Sequence, residues 1–208
     1  MIRQEDPRII YWLNNSLYLN ITNRCSNNCW FCFRRYKKGV GGFNLKLKKE
    51  PTINEVKSKL ETALGLRRWN EVVFCGFGES TERLDFLLEI VRYIRKRCSI
   101  PIRIDTNGHG YVLNKGWNVV EEMQSAGVST VSVSLNGHDE ASYEENCRPV
   151  FRDSFKAVLK FIEKAKKAGM DVEISAVRMP EVNIEKIKKI ADSLGVPLRI
   201  RDYIPCFS

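Results

Sequence analysis

Cys25, Cys29 and Cys32 stand close together in the segment Cys25-Ser26-Asn27-Asn28-Cys29-Trp30-Phe31-Cys32, a Cys-x3-Cys-x2-Cys spacing. Thiolates are soft ligands that suit iron–sulfur clusters and zinc. Three of them from one loop can hold three irons of a four-iron cubane and leave the fourth without a protein ligand. An open iron can bind a reactant, whereas a fully ligated cluster only carries electrons. Three cysteines completed by a histidine make a zinc ligand set instead. The residue types leave that alternative open, because His109 and His138 both follow predicted strands and fall at the same end of the fold.

Two further segments have chemistry-bearing spacing. In Cys75-Gly76-Phe77-Gly78-Glu79-Ser80-Thr81, at a predicted strand-to-helix junction, glycines allow a ligand close to the backbone. The Glu79 carboxylate can accept hydrogen bonds from a ligand ammonium. Ser80 reads as a helix cap. Asp105-Thr106-Asn107-Gly108 follows the next strand and suits an Asx-type turn.

The elements that must position these residues alternate along the chain. Runs at 9–13 and 17–21 flank Asn14-Asn15 and predict a hairpin with a two-residue turn. Strands are expected at 71–75, 102–105, 130–135, 172–177 and 198–202. Helices are expected from Thr52, which forms a capping box with Glu55, and at 81–97, 115–125, from 139, 153–168 and 184–194, with Gly127, Gly169 and Gly195 as stops. Six strand positions separated by helices predict a mainly parallel sheet with helices outside. Each strand is apolar on one face only: Val131, Val133 and Leu135 alternate with Ser132, Ser134 and Asn136, and Leu198 and Ile200 with Arg199 and Arg201. A sheet covered on both faces has near-continuous apolar strands. The expected fold is therefore α/β, a partial six-stranded barrel with an N-terminal hairpin and a polar lumen, and residues 1–208 are read as a single domain. Arg103, Arg199 and Arg201 would make that lumen receptive to an anionic group.

Composition narrows the function classes. The chain has 208 residues, 43% hydrophobic and 28% charged, as in globular proteins. It has no apolar run of membrane-spanning length and begins without a leader-like apolar stretch, so a cytoplasmic location without membrane association is expected. The net charge of +9 can attract anionic partners. Most lysines, however, fall on predicted helix faces, and no nucleic-acid-binding motif accompanies them. Seven cysteines are an odd count, which argues against a disulfide framework. Cys75, Cys98, Cys147 and Cys206 are scattered singly and read as buried thiols, with Cys147 beside Arg148 a candidate reactive one.

The cysteine spacing, with Phe31 before the last cysteine, and the Gly76-Phe77-Gly78-Glu79 turn resemble the radical S-adenosylmethionine (radical SAM) superfamily. Ser80 stands where that family usually has proline. The resemblance implies a four-iron, four-sulfur cluster on Cys25, Cys29 and Cys32, with SAM on the open iron. It implies SAM contacts from Gly76, Gly78, Glu79, Asn107 and the region of Ser134, with Phe31 beside the adenine. By position after their strands, Asn136 is assigned to the ribose, Val177 to the adenine, Arg178 to a carboxylate and Tyr203 to the nucleoside pocket. Reductive cleavage of SAM would then yield a 5′-deoxyadenosyl radical that takes hydrogen from a substrate. The implied electron donor is an external flavodoxin or ferredoxin. The substrate is expected to be anionic or macromolecular, with the basic stretch 34–49, a partner or a second subunit of a homodimer covering the open side. The segment from Tyr11 to Arg34, Cys147-Arg148-Pro149 and the short length resemble short radical SAM proteins associated with TatD-family nucleases. Asp105-Thr106-Asn107-Gly108 resembles activases of glycyl radical enzymes, although Ser134 and Asn136 stand where those carry Asp and Lys. The alternatives are such an activase acting on a partner protein, or a non-catalytic iron–sulfur or zinc module.

Overall fold

The computed structural model describes residues 6–204, so Cys206 lies outside the described residues. Strands β1 (Ile10–Leu13) and β2 (Ser16–Leu19) form the N-terminal hairpin, joined by Asn14-Asn15 with Asn14 at φ 53°. Asparagine enters that left-handed region more readily than most residues. After the cysteine segment comes a short hairpin of β3 (Gly39–Val40) and β4 (Phe43–Asn44). The chain then runs through α1 (Ile53–Leu66), β5 (Glu71–Phe74), α2 (Leu84–Arg95), β6 (Ile102–Thr106), α3 (Gly110–Leu113), α4 (Val119–Ala126) and β7 (Thr130–Ser134). It ends with α5 (Glu140–Cys147), α6 (Ser154–Lys167), β8 (Asp171–Arg178), α7 (Ile184–Leu194) and β9 (Leu198–Asp202).

The main sheet has seven strands in the order β1-β2-β5-β6-β7-β8-β9. All neighbours from β2 to β9 are parallel, and only β1 is antiparallel. Among the described residues β1 and β9 are unpaired edges, so the sheet is a partial barrel of six parallel strands with the expected hairpin at one edge. Parallel neighbours need crossovers, and the helices supply them on the outer face. The core lies between that face and the helices. Leu17, Leu19, Val72, Phe74, Ile104, Val131, Val133, Ile174 and Ala176 are fully buried there against Leu60, Leu87, Val91, Met123, Val158 and Ile187.

Local signals set most boundaries. Thr52 and Glu55 make the reciprocal capping box at the start of α1. Gly127 and Gly195, in left-handed conformations, close α4 and α7. Two helices start later than the sequence predicts. The segment after β5 opens as a 3-10 turn over Ser80–Arg83, and α2 begins only at Leu84, because the Glu79 side chain caps the backbone of Thr81. This makes Glu79 the cap, not Ser80. The helix predicted from Lys115 begins at Val119, since Gly116 sits at φ 85°. No helix among the described residues is long and apolar enough to cross a membrane.

Candidate active site

The cysteine loop leaves the C-terminal end of β2, on the side where α/β barrels bind ligands. It is held from two directions. On one side the Glu79 N–H donates to Arg24 O at 2.8 Å. Gly78 presses so closely that a Cβ there would stand 2.3 Å from Arg24 O and 2.6 Å from Thr22 O. A Cβ at Gly76 would strike the Asn20 side chain at 2.2 Å. Both glycines are thus demanded by the seating of this turn on the loop and on β2, beyond any ligand approach. On the other side residues 146–150 run along the loop. The N–H of Asn28 donates to Cys147 O (3.0 Å) and that of Trp30 to Asn146 O (3.3 Å), Val150 N–H donates to Ser26 O (3.0 Å), and Asn27 forms a β-bridge with Pro149.

Behind the loop is a buried polar network. His109 is fully buried, with Nδ1 3.0 Å from Ser26 Oγ and Nε2 3.2 Å from the Tyr143 hydroxyl. Asn27 Nδ2 donates to the same hydroxyl at 3.1 Å, and Asn107 Nδ2 to Ser26 Oγ at 2.8 Å. Burial lowers the His109 pKa to about 4, so the imidazole is neutral at pH 7. His138 lies near Lys186 and Asp139. Both histidines are therefore engaged away from the thiols, and among the described residues no three Cys, His, Asp or Glu side chains are gathered so as to hold a single metal ion. A zinc site of three cysteines and a histidine is not formed by this arrangement.

Glu79 is buried at 4% exposure. Its Oε1 accepts from Thr81 N (3.0 Å), Thr81 Oγ1 (2.7 Å) and Thr106 Oγ1 (2.9 Å), and its Oε2 from Asn107 N (2.7 Å). Burial pushes its pKa up, against the opposing pull of these donors. The carboxyl therefore knots the turns after β5 and β6 together, and Oε2, with one partner, keeps a lone pair for a ligand.

One cavity of about 360 Å³ joins these parts. Its walls include Cys25, Cys29, Cys32 and Phe31 from the loop, Gly76, Gly78 and Glu79 from the turn after β5, and Asn107, Ser134, Asn136, Val177 and Tyr203 from beyond the later strands. The volume falls within the range of small-molecule sites, roughly 300–1,000 Å³. Asn136 Oδ1 accepts from Val177 N at 2.8 Å, which leaves its amide nitrogen available. The sequence assignment of Arg178 to this pocket is corrected: its side chain is exposed, pairs with Asp202 at 3.4 Å and is not part of the wall. Successive strand residues face opposite ways, so Val177 points into the lumen and Arg178 away from it.

The lumen below is less cationic than three arginines imply. Arg103 stands 3.0 Å from Asp105 and 3.5 Å from Glu71, and Arg199 is 2.9 Å from Glu173. Arg201 donates to Ser134 Oγ at 3.3 Å and has no carboxylate ion pair among the described residues.

Sequence reasoning missed two neighbours of the thiols. Arg34 Nε donates to Cys32 Sγ at 3.2 Å while its other nitrogens donate to Asn23 O and Asn27 O. Its position two residues after Cys32 was a signal in plain view. Cys147 is buried at 1% and hydrogen-bonded to Cys29, so it is no solvent-exposed reactive thiol. That contact draws the Cys29 pKa down, whereas burial pushes Cys25 up to about 12.

The family model described as the radical SAM superfamily matches residues 19–194. The chain belongs to the radical SAM superfamily. It is 30% identical over 195 residues to a probable GTP 3′,8-cyclase of Methanococcus aeolicus, covering 91% of this chain and 60% of that protein. It is 29% identical over 161 residues to a 7,8-dihydro-6-hydroxymethylpterin dimethyltransferase of Methanocaldococcus jannaschii, covering 74% of this chain and 28% of that one. The chain spans half or less of the first curated relatives it matches. Streptococcus suis SuiB bound to S-adenosylmethionine has the same fold, with a TM-score of 0.69 at 19% identity over 92% of this chain and 41% of SuiB. Radical SAM proteins are enzymes that use a four-iron, four-sulfur cluster and SAM, with electrons from an external reductant. The residues present fit those groups. Three thiols share one wall of a cavity, a buried Asn27 Oδ1 lies there without a hydrogen-bond partner, and Glu79 Oε2 is only partly satisfied.

Proposed function

We propose that this chain is a single radical SAM core domain in which Cys25, Cys29 and Cys32 hold the cluster and the adjoining cavity binds SAM. The observation that carries the reading is the convergence of the three cysteines, the Gly76-Phe77-Gly78-Glu79 turn and the ends of the later strands on one cavity. When bound, the reduced cluster and SAM supply a 5′-deoxyadenosyl radical that takes hydrogen from a substrate.

The chain's own residues hold and orient. Glu79 Oε2 and the backbone of Gly76 and Gly78 receive the SAM ammonium. Asn107 fixes the loop at Ser26 and lies 3.9 Å from Cys25 Sγ. Phe31, Val177 and Tyr203 form an apolar wall for the adenine, and the Asn136 amide and Ser134 hydroxyl face the ribose. Arg34, against Cys32, offsets negative charge on the thiolates and makes reduction easier.

The substrate enters from the open side between β1 and β9. There the β3–β4 hairpin and Ile204 line one groove. The relatives include proteins named for action on GTP. In this lumen Arg201, which forms no carboxylate ion pair among the described residues, suits one anionic group of a small molecule or of a macromolecular segment. A flavodoxin or ferredoxin docked on the basic stretch 34–49 delivers electrons, and a second subunit or the hairpin itself closes the opening.

Anaerobically reconstituted protein given a strong reductant and SAM is expected to form 5′-deoxyadenosine and methionine. A cluster-loaded protein that forms neither overturns the reading. Substituting Arg201 by Gln should leave SAM binding within a few-fold, measured by calorimetry.

A further inference from the structure

Cys75 is the last lumen-facing residue of its strand region before the Gly76–Glu79 turn. Phe74 pairs with Ile104 across β5 and β6, so the next positions, Cys75 and Asp105, lie side by side on the same face. Both line the cavity that contains the three loop cysteines, and Cys75 is half-buried, open to that cavity. Its backbone is pinned, with N–H donating to Leu19 O (3.1 Å) and C=O accepting from the Tyr11 hydroxyl (3.1 Å).

The surroundings are unlike those of a packed core thiol. Cys75 and Asp105 hydrogen-bond through their side chains, and Arg103 and Tyr18 lie close by. Arg103 Nε and Asp105 Oδ1 approach to 3.0 Å without hydrogen-bond alignment, which leaves that buried carboxyl oxygen unsatisfied at the cavity wall. Burial and the neighbouring Asp105 push the Cys75 thiol up, so the sulfur carries its hydrogen at neutral pH. Burial likewise pushes Asp105 up, against the pull of Arg103, Arg199 and Arg201, and its carboxyl lies in hydrogen-bond contact with the thiol, where it can pass on a proton taken from water in the lumen.

We propose that Cys75 is a hydrogen-atom donor to carbon radicals formed in this cavity, with Asp105 as its proton source. This rests on the radical SAM reading of the same site. An S–H bond is weaker than most C–H bonds, so transfer from thiol to carbon radical is downhill. In the step, the substrate-derived radical takes the hydrogen atom from Cys75, forming a C–H bond and breaking S–H, and sulfur is left as a thiyl radical. The thiyl takes one electron from a low-potential external reductant and one proton from the Asp105 carboxyl, which restores S–H. The Asp105 carboxylate regains its proton from water in the lumen. The balance is one electron and one proton consumed per quenched radical.

The test needs no substrate. In the metal-free protein, an infrared S–H band is expected to vanish in Cys75→Ala and to shift in Asp105→Asn. An unshifted band overturns the pairing. Reconstituted protein in D2O, without added thiol and with titanium(III) citrate as reductant, is then given SAM alone. The 5′-deoxyadenosine formed is expected to carry one deuterium drawn from the exchanged Cys75 thiol. That labelled fraction should fall several-fold in Cys75→Ala and Cys75→Ser, and stay unchanged in Cys98→Ala, whose thiol lies at the opposite end of α2. Equal labelling in wild type and both Cys75 variants, at normal 5′-deoxyadenosine yield, overturns the proposal. Absence of 5′-deoxyadenosine from the wild type instead overturns the underlying radical reading, and the donor role falls with it.

Discussion

The two faces of the main sheet are built from the same strands and could hardly differ more. On the outer face Val72, Phe74, Ile104, Val133 and Ile174 are fully buried under helices. On the lumen face Cys75, Arg103, Asp105, Ser132, Glu173 and Arg199 form ion pairs and hydrogen bonds around a cavity. Close packing on one side carries the stability, and the other side is left to carry chemistry. The contrast predicts that substitutions of similar size cost very different amounts of stability on the two faces.

The largest effect is expected from Phe74→Ala. It should cost about 3–5 kcal/mol in urea unfolding, because the outer face cannot collapse around the void. The next is a pH effect at the polar network behind the loop. The unfolded His109 imidazole takes up a proton near its ordinary 6.5, and the folded one only at about 4. The unfolded state thus binds more protons between those values. Stability is complete above pH 6.5 and declines as pH falls towards 4, by about 3 kcal/mol in all. His109→Gln should flatten that slope, and an unchanged slope would assign the acid sensitivity elsewhere. Arg199→Met, on the lumen face, removes a partly exposed ion pair and should cost roughly 1 kcal/mol or less. A loss as large as that of Phe74→Ala would break the contrast, making the lumen a core. Arg97→Ala, at the solvent-facing pair with Glu61, should stay within about 0.5 kcal/mol.

The outer face was legible in the sequence because it rests on a local rule: every second residue of β5 to β8 is apolar, and the pleat does the rest. The Asn14-Asn15 turn and the Thr52–Glu55 capping box were legible for the same reason, since each is complete within a few residues. The lumen was legible as polar but not in its pairings. Which carboxylate meets Arg103 or Arg199 depends on strand register, and register is a tertiary outcome. The candidate site divides the same way. Spacing identified the three cysteines and the glycine–glutamate turn. That Glu79 turns inward to Thr106 and Asn107, that Arg34 folds back on Cys32 and that Cys147 reaches Cys29 are contacts between segments distant in sequence or curled within a loop. No periodicity encodes them. Arg178 was misplaced by a single residue, which on a strand is enough to move a side chain to the other face.

The segment 146–150 laid along the cysteine loop bears on how the proposed cluster would be taken up. The loop is gripped by the turn after β5 on one flank and by this segment on the other, through backbone hydrogen bonds that require no iron. It is therefore a mould set before casting. Iron and sulfide are expected to fill a cavity already in shape, and oxidative loss of the inorganic core should leave a chain that can be refilled without refolding. Stripped protein should keep slow amide exchange at Asn28 and Trp30, as hydrogen exchange would report. Rapid exchange there would mean that the metal shapes the loop instead.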